Sequence, residues 1–294
     1  MLIARLIAET SECETRLDAL VAAMAGAGAQ LTAAAMPEGD EGVLELHLDG
    51  GEEADVLAAI DSAFAVPAML VARGSIAVPR LFVSDMDSTM IGQECIDELA
   101  DYAGIKAQIA EITERAMQGE LDFESALRER VALLAGLDEG AIGQCLAERI
   151  TATPGAKTLV ATLAALGTRT VLVTGGFHHF ADPVAEMLGF HRVVGNRLAV
   201  EDGKLTGGLV GPITDSAVKA AVLREELAVL GEGAHSLATG DGANDIPMIE
   251  AATYGFAYRA KPKARAAANG RVDSDDLTAV LTLLGVPRSE WYES

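Results

Sequence analysis

Basic residues are scarce in this sequence of 294 residues, in which 22 Lys and Arg stand against 44 Asp and Glu. The resulting formal charge of -22 repels nucleic-acid phosphates and anionic lipid headgroups. Nucleic-acid binding and membrane-surface binding are therefore disfavoured. An anionic substrate needs a local cluster of positive charge, from Lys, Arg or a metal ion, because the overall field opposes its approach.

Cysteines and long apolar runs are scarce as well. The three cysteines, Cys13, Cys95 and Cys145, are widely spaced. They supply neither a zinc quartet nor a disulfide framework, and their odd number suits a reducing compartment, so we expect a cytoplasmic protein. Residues 1–9 lack the pattern of a signal peptide, and no uninterrupted apolar run is long enough to span a bilayer. No membrane span is expected.

What is present is typical of a globular chain, because half of the residues are apolar and 22% are charged. The length predicts one large domain or two ordinary ones. Residues 1–78 follow the order strand, helix, strand, strand, helix, strand, which predicts a small α+β ferredoxin-like unit. The predicted strands are 2–7, 30–36, 43–48 and 68–73, and the predicted helices are 13–24 and 52–64. Pro79 and Arg80 then predict a domain boundary.

The second predicted domain, residues 79–294, alternates short apolar runs with helices in the manner of a parallel α/β sheet. The predicted strands are 81–84, 170–173, 193–196, 236–239 and 255–258. Residues 93 to about 150 show helical periodicity without a strand, which predicts an inserted helical cap. Thr153-Pro154 and Gly167 predict the start and stop of the next helix. Residues 198–209, with Asp202-Gly203 between apolar flanks, predict a β-hairpin.

Two motifs follow predicted strands. Residues 85–89, Asp-Met-Asp-Ser-Thr, come directly after strand 81–84, and ligands of parallel sheets collect beyond the carboxyl ends of the strands. Residues 174–176, Thr-Gly-Gly, end the next strand and offer a hydroxyl and accessible backbone amides, which suit a phosphate group. Taken alone, the first motif is more often a helix cap or turn, and the second is at least as typical of an ordinary glycine turn.

Two further motifs come later in the chain. Lys219 lies in the first turns of a helix that Thr214 or Asp215 can cap, and residues 240–245, Gly-Asp-Gly-Ala-Asn-Asp, follow strand 236–239. A lone helical lysine is usually solvated, and the acidic loop can also be a turn before a capped helix. The conjunction of all four motifs at one expected sheet edge favours a functional site. Asp85, Asp241 and Asp245 suit Mg²⁺, which binds carboxylates together with substrate phosphate.

The four motifs, in their order along residues 81 to about 260, resemble the haloacid dehalogenase (HAD) superfamily of aspartate-nucleophile phosphatases. With Glu94 and Arg130 added, the pattern is similar to the phosphoserine phosphatases within it. The resemblance implies a HAD-like Rossmannoid sheet with a helical cap of the C1 type. It also implies that the unit of residues 1–78 is ACT-like and that the cap is the insertion at about 93–150.

The resemblance also assigns roles to individual residues. It makes Asp85 the nucleophile that forms an aspartyl phosphate, and Asp87 the general acid and base. Mg²⁺ is held by the Asp85 carboxylate, the Asp87 backbone carbonyl and Asp241, with Asp245 orienting the ligand shell. The remaining assigned residues bind substrate: Glu94 (ammonium), Arg130 (carboxylate), Met117, Phe123, Thr174, Gly175, Gly176, Lys219 and Asn244. Thr174 departs from the Ser of many relatives but retains the hydroxyl.

The expected function is that of a Mg²⁺-dependent phosphatase that releases serine and phosphate from O-phosphoserine, the last step of phosphorylated serine biosynthesis. A homodimer is expected as one possible assembly. Alternatives are a phosphatase of another small phosphoester, such as phosphohomoserine or a phosphosugar, a phospho-accepting signalling module, or a regulatory binding protein that works through residues 1–78. Glu94 and Arg130 argue against the other phosphoesters, because a substrate without ammonium and carboxylate leaves these charges unmatched. A helical insertion after the nucleophile suits a lid better than an output surface.

Overall fold

The structure is a computed structural model that describes residues 1–8, 10–37, 42–64 and 66–292. Its first six elements have the predicted order and nearly the predicted bounds. They are β1 (Leu2–Ile7), α1 (Thr10–Gly26), β2 (Ala29–Ala35), β3 (Val43–Gly50), α2 (Glu53–Ala63) and β4 (Ala68–Arg73). The four strands are antiparallel in the order β2-β3-β1-β4, which is the arrangement of a ferredoxin-like unit. The ACT-like assignment of this unit stays a prediction.

One face of these strands carries the two helices. Leu20 and Met24 of α1 and Val56 and Ile60 of α2 are fully buried against the strands. Their spacing of four residues places each pair on a single helix face, and burial of such side chains contributes about 1.5–3 kcal/mol each. The apolar spacing in the sequence therefore determines which face of each helix packs on the sheet.

The rest of the chain builds an α/β layer around a mostly parallel sheet. Its strands are β5 (Leu81–Ser84), β6 (Arg169–Phe177), β7 (Arg192–Glu201), β8 (Lys204–Val210), β9 (Ser236–Gly240), β10 (Tyr254–Tyr258) and β11 (Gly270–Val272). The flanking helices are α7 (Ala156–Ala165), α8 (His178–Leu188), α9 (Ser216–Leu230), α10 (Ile246–Ala251), α11 (Pro262–Ala267) and α12 (Ala279–Leu284). The HAD-like fold expected from the sequence is confirmed, as is the hairpin, in which the Asp202-Gly203 turn joins β7 to β8.

The strand order in this part is β11-β10-β9-β5-β6-β7-β8. β5 pairs in parallel with β6 on one side and with β9 on the other, and all four of its residues are buried. A short, wholly buried strand is typical of the centre of a parallel sheet. The chain reverses its direction of winding at β5, and ligands of such sheets bind at this switch point.

The cap consists of α3 (Cys95–Tyr102), α4 (Lys106–Met117), α5 (Phe123–Ala132) and α6 (Gly140–Arg149). Its two connections to the sheet run side by side, with an antiparallel bridge between Ile91 and Ala152. The Gln93 side chain links the two connections through Thr151. Its amide nitrogen donates to Thr151 Oγ1 at 2.8 Å, and its amide oxygen accepts from the Thr151 backbone N–H at 2.9 Å. The cap therefore joins the core through a short hydrogen-bonded hinge.

The start predicted for the helix after the cap was wrong. The Thr153-Pro154 pair forms a turn, and α7 begins at Ala156 after Gly155, whose φ is +76°. A side chain on Gly155 would collide with the Asp276 carboxylate and the Thr278 backbone, at 2.1 and 2.7 Å from the Cβ position. This close approach of a distant loop sets the helix start, and it leaves no local signal in the sequence. The predicted stop at Gly167 agrees with the end of α7 at Ala165.

The two parts of the chain share one sheet. β4 pairs antiparallel with β11, with Leu70 opposite Gly270, so that eleven strands are continuous. α12 packs against β1 and β4, and Arg5 donates to the Leu283 carbonyl at 3.2 Å. The domain boundary near Pro79 stays a prediction. Among the described residues, no helix has the length and apolar character needed to cross a membrane.

Candidate active site

A cavity of about 420 Å³ lies between the carboxyl edge of the sheet and the cap. Ten of the thirteen predicted site residues line it: Asp85, Asp87, Glu94, Phe123, Arg130, Thr174, Gly175, Gly176, Asp241 and Asn244. Lys219 and Asp245 are not among the lining residues and are fully buried. Met117 is the last residue of α4, and its side chain lies outside the described part of the structure. The fold thus brings together motifs that are up to 160 residues apart.

A buried ion network links the residues of three motifs. Lys219 Nζ donates to Asp85 Oδ1 at 2.6 Å and to Asp245 Oδ1 at 2.7 Å. Lys219 reaches this position because α9 begins at Ser216, where the Asp215 carboxylate accepts from the Val218 backbone N–H at 2.9 Å. Asp215 is thus the helix cap, one of the two residues predicted from the sequence. A buried charge is stable only with such partners, so this network fixes both carboxylates.

The acidic loop after β9 completes the network. Asp245 Oδ2 accepts from the backbone N–H groups of Asp241 and Gly242 at 3.2 and 3.0 Å. One carboxylate oxygen each from Asp85, Asp241 and Asp245 lies within 4.8 Å of the other two. Three carboxylates and the Lys219 ammonium leave a formal charge of about -2 in this cluster if all are ionised. Hard oxygen ligands and this charge fit a divalent cation.

Burial and like charges shift the pKa values of this cluster. Burial and the neighbouring Asp245 charge raise the pKa of Asp85 well above its usual range, although Lys219 opposes the shift. Burial opposes the charged form of Lys219, but Asp85 and Asp245 outweigh it and raise the pKa of this ammonium. Burial and Asp245 raise the pKa of Asp241 to about 6. Burial is thus the main cause of the two carboxyl pKa shifts, and the charge of Asp245, which one ammonium does not cancel, adds to them.

Asp87 lies in the same loop as Asp85 but outside the lysine network. Its Oδ1 accepts a long hydrogen bond from the Cys95 backbone N–H at 3.4 Å, at the start of α3. Burial, followed by the negative charge of Glu94, raises the pKa of Asp87 to about 7. A carboxyl group with a pKa near neutrality can both donate and accept a proton at physiological pH.

The Thr-Gly-Gly motif forms the wall opposite the acidic loop. The Thr174 hydroxyl is buried and accepts from the Gly176 backbone N–H at 2.8 Å. Asn196 supports the backbone of this motif. Its amide nitrogen donates to the Gly175 carbonyl at 2.8 Å, and its amide oxygen accepts from the Thr214 backbone N–H at 2.8 Å. The sequence analysis missed Asn196, which lies inside β7 and has no motif around it.

The cap contributes Glu94, Phe123 and Arg130. The Phe123 ring lies over Gly175, 3.2 Å from where a side-chain carbon would stand, so a larger residue at position 175 would press on the ring. Arg130 is half-buried and donates from Nε to the Ala126 carbonyl at 3.3 Å. Among the described residues, no carboxylate lies within 4 Å of its guanidinium. Burial lowers the pKa of Arg130, an effect that the charges of Asp97 and Glu94 oppose.

Two more residues at the site were given no role in the sequence analysis. Ser88, whose φ is +55°, donates from its hydroxyl to Glu94 Oε1 at 2.8 Å and holds this carboxylate at the cavity. Lys261 lines the cavity from the loop after β10. Lys261 follows a parallel strand, as Asp85 and Asp241 do, and this position is the signal that could have identified it.

The sequence and the fold are similar to those of known proteins. Residues 82–250, more than half of the chain, match the family of haloacid dehalogenase-like hydrolases. The chain belongs to this family. Within the HAD family, it is 46% identical over 212 residues to the phosphoserine phosphatase of Streptomyces coelicolor, a match that covers 72% of this chain and 52% of that protein. The chain thus matches about half the length of this relative.

Two solved structures of HAD proteins are also similar. The unliganded probable phosphoserine phosphatase from Vibrio cholerae superposes with a TM-score of 0.73 and 31% identity, covering 98% of this chain and 87% of that chain. A phospho-aspartyl intermediate analogue of phosphoserine phosphatase superposes with a TM-score of 0.63 and 36% identity, covering 69% of this chain and 97% of that chain. The first similarity extends over both parts of this chain, and the second extends over about two thirds of it.

Proposed function

We propose that this HAD protein hydrolyses O-phosphoserine to serine and phosphate, the final reaction of phosphorylated serine biosynthesis. One observation carries the choice of substrate: the half-buried Arg130 guanidinium has no carboxylate partner among the described residues and lines the same cavity as Glu94 and Asp85. An amino acid that bears a phosphate brings a carboxylate for Arg130, an ammonium for Glu94 and a phosphorus atom for Asp85. The phosphoserine phosphatases among the similar proteins support this assignment.

The first step forms a covalent intermediate. An Asp85 carboxylate oxygen attacks phosphorus, a new O–P bond forms, and the bond from phosphorus to the serine oxygen breaks. Asp87 gives its proton to the leaving serine oxygen, so that serine departs as an alcohol. Lys219 holds the Asp85 carboxylate in position at 2.6 Å, and the Thr174 hydroxyl and the backbone N–H groups of the adjacent glycines bind phosphoryl oxygens.

The second step releases phosphate. Asp87, now a carboxylate, takes a proton from a water molecule, which attacks phosphorus and breaks the bond to Asp85. This exchange of one proton restores both aspartates to their starting forms. The pKa of Asp87, raised to about 7, supports its two roles because neither form is strongly disfavoured near neutral pH.

The donor set suits Mg²⁺ as the cofactor. Asp85, Asp241 and the Asp87 backbone carbonyl are the proposed ligands, and Asp245 supports them through the N–H groups of Asp241 and Gly242. When bound, the ion neutralises charge on the phosphoryl group.

The cap residues select the substrate. Glu94, oriented by Ser88, pairs with the ammonium group, and Arg130 binds the carboxylate in a bidentate manner. Phe123, Met117 and Asn244 complete the enclosure of the amino-acid part. Closure of such a cap excludes water from the phosphoryl-transfer step.

The assembly and location are also proposed. Cys95 and Cys145 are buried free thiols, which supports a cytoplasmic protein. The amino-terminal unit is proposed to bind an amino acid or to pair subunits into a homodimer. Its edge strand, Ala29–Ala35, carries no charged side chain, and uncharged edge strands are suited to pairing with another chain.

A phosphate-release assay tests the function. Phosphoserine, phosphothreonine, phosphohomoserine and phosphosugars are compared with Mg²⁺ and with a chelator. The proposal expects Mg²⁺-dependent release with the highest kcat/KM for phosphoserine. Preference for a phosphosugar would instead assign Glu94 and Arg130 to hydroxyl groups, and release that a chelator does not affect would contradict the metal site.

A further inference from the structure

Lys261 lies at the boundary between two cavities. It lines the site cavity between sheet and cap, and it also lines a second cavity of about 580 Å³. Asp241 is the other residue that lines both. The second cavity runs beneath the cap hinge, where Gly92 and Thr151 lie. Lys261 therefore lies where the two cavities meet, beside Asp241, one of the proposed metal ligands.

The backbone of Lys261 is fixed although its side chain is free to move. Its N–H donates to the Asp241 carbonyl at 3.0 Å, and α11 begins at the next residue, Pro262. Arg265 of the same helix pairs with Asp61 of α2 and with Asp273, which anchors α11 to the rest of the fold. The Lys261 side chain is 72% exposed, and its Nζ lies 3.8 Å from Asp241 Oδ2.

Positive charge is scarce where the substrate must enter. The chain has a net charge of -22, and the other ammonium at the site, Lys219, is buried and bonded to two carboxylates. Among the described residues that line the site cavity, Arg130 and Lys261 are the cations. Arg130 is assigned above to the carboxylate of the substrate. Among these lining cations, Lys261 is then the one available to the phosphate group, which carries a charge of about -2.

We propose that Lys261 captures the phosphate group of the incoming substrate at the mouth of the site, exchanging its contact with Asp241 for a contact with phosphoryl oxygen. This inference rests on the proposed phosphatase function and adds a substrate-binding residue to it. Only the Lys261 side chain has to rotate in this exchange. The hydrogen bond from the Lys261 backbone N–H to the Asp241 carbonyl keeps the backbone in place. Lysine suits this task as a flexible point charge.

The test compares Lys261 with Lys263, two lysines at the start of α11. Lys261→Met and Lys263→Met remove the same charge and retain a long apolar stem, but Lys263 is exposed and lines neither cavity. We expect Lys261→Met to lower kcat/KM for phosphoserine about tenfold at low ionic strength, with kcat nearly unchanged. The deficit should shrink with added salt, since the Debye length falls to about 10 Å at 0.1 M. Lys263→Met should match the wild type, and Lys261→Arg should recover most of the loss.

Calorimetric titration of inorganic phosphate, with Mg²⁺ present, separates this inference from the proposed function. If wild-type protein binds phosphate and Lys261→Met weakens the binding while Lys263→Met does not, the capture role is supported even if phosphoserine is not the substrate. If both variants weakened phosphate binding equally, the effect would come from the net charge of the protein and not from Lys261 itself, and the proposal would be overturned. A fall in kcat at unchanged KM, or a higher Mg²⁺ requirement in Lys261→Met alone, would also overturn it, because either result assigns Lys261 to the support of Asp241.

Discussion

The charged groups at the sheet edge and those in the cap differ in how they are partnered. Asp85, Lys219 and Asp245 are almost fully buried, and each is bonded to another member of the network. In the cap, Glu94 is exposed and Arg130 is half-buried without a carboxylate partner among the described residues. The sheet edge is therefore already organised for the proposed phosphoryl transfer, whereas the cap presents charges that the proposed substrate can neutralise.

This difference follows from what each region must do. Burying a charge is costly unless it is paired, so the residues proposed to perform the chemistry hold one another in place before substrate arrives. A charge that is satisfied within the protein cannot discriminate between substrates, whereas an unmatched one rejects any ligand that leaves it unpaired. If this division is correct, variants at the sheet edge should impair every substrate, and variants in the cap should impair some substrates more than others.

The largest effect is expected from Asp85→Asn. The amide keeps the size of the side chain and can still accept a hydrogen bond from Lys219, but it cannot attack phosphorus. Steady-state hydrolysis of every substrate should fall below about 1% of wild type, while the thermal unfolding midpoint changes little. Hydrolysis clearly above that level in protein free of wild-type contamination would contradict a covalent mechanism through Asp85.

A selective effect is expected from Arg130→Ala. Loss of a partly buried partner of the substrate carboxylate should cost about 2–5 kcal/mol in kcat/KM for phosphoserine. Arg128→Ala is the matched control, because Arg128 lies on the same helix but pairs with Glu124 away from the site cavity. Similar losses in both variants would mean that the charge of α5, and not Arg130 itself, supports activity.

The pH dependence of the reaction should report Asp87. The first step needs its protonated form, and its pKa is about 7, so kcat/KM should decline as the pH rises through 7. Because the charge of Glu94 helps to raise this pKa, Glu94→Gln should move the decline to lower pH. The position of the decline is compared, and not the height of the curve, since Glu94 also binds substrate. A decline that stays in place or moves to higher pH in Glu94→Gln would rule out this assignment.

The smallest effect is expected at the hinge that joins the two regions. Gln93→Ala removes two hydrogen bonds to Thr151, each contributing about 0.5–1.5 kcal/mol. We expect kcat/KM to fall by a few fold for all substrates, because the cap closes less often over the sheet edge. Gln108→Ala, on the solvent-exposed side of α4, serves as the control. An unchanged kcat/KM in Gln93→Ala would show that the hydrogen bonds between Gln93 and Thr151 have no part in cap closure.

The sequence predicted the residues at the sheet edge better than those in the cap. It also predicted them better than the pairing that joins the two parts of the chain. Three of the four motifs follow predicted apolar strands and the fourth opens a helix, and the rule that parallel strands present their carboxyl ends together was enough to place them at one sheet edge. Glu94 and Arg130 came from family resemblance, since a charged residue on a helix otherwise predicts only a solvated surface. Asn196 and Lys261 were missed because a single polar residue beside a strand has no pattern of its own.

The junction between the two parts of the chain depends on contacts that are distant in sequence. β11 has three residues, too few to show any periodicity, and it is held by β4, some 200 residues earlier. Asp61 of α2 pairs with Arg271 of β11, a contact that neither segment predicts alone. The predicted boundary near Pro79 marks a change of local pattern, and local pattern does not report pairing across it.

A crossed comparison of cap variants and truncated substrates tests the central claim most directly. Phosphoethanolamine keeps the ammonium but lacks the carboxylate, and 3-phosphooxypropanoate keeps the carboxylate but lacks the ammonium. The kcat/KM of wild type, Arg130→Ala and Glu94→Gln is measured for both compounds and for phosphoserine at one pH. The account predicts that Arg130→Ala loses little on phosphoethanolamine and that Glu94→Gln loses little on 3-phosphooxypropanoate, although both lose heavily on phosphoserine. Equal losses on all three substrates would contradict the division between a catalytic sheet edge and a selective cap.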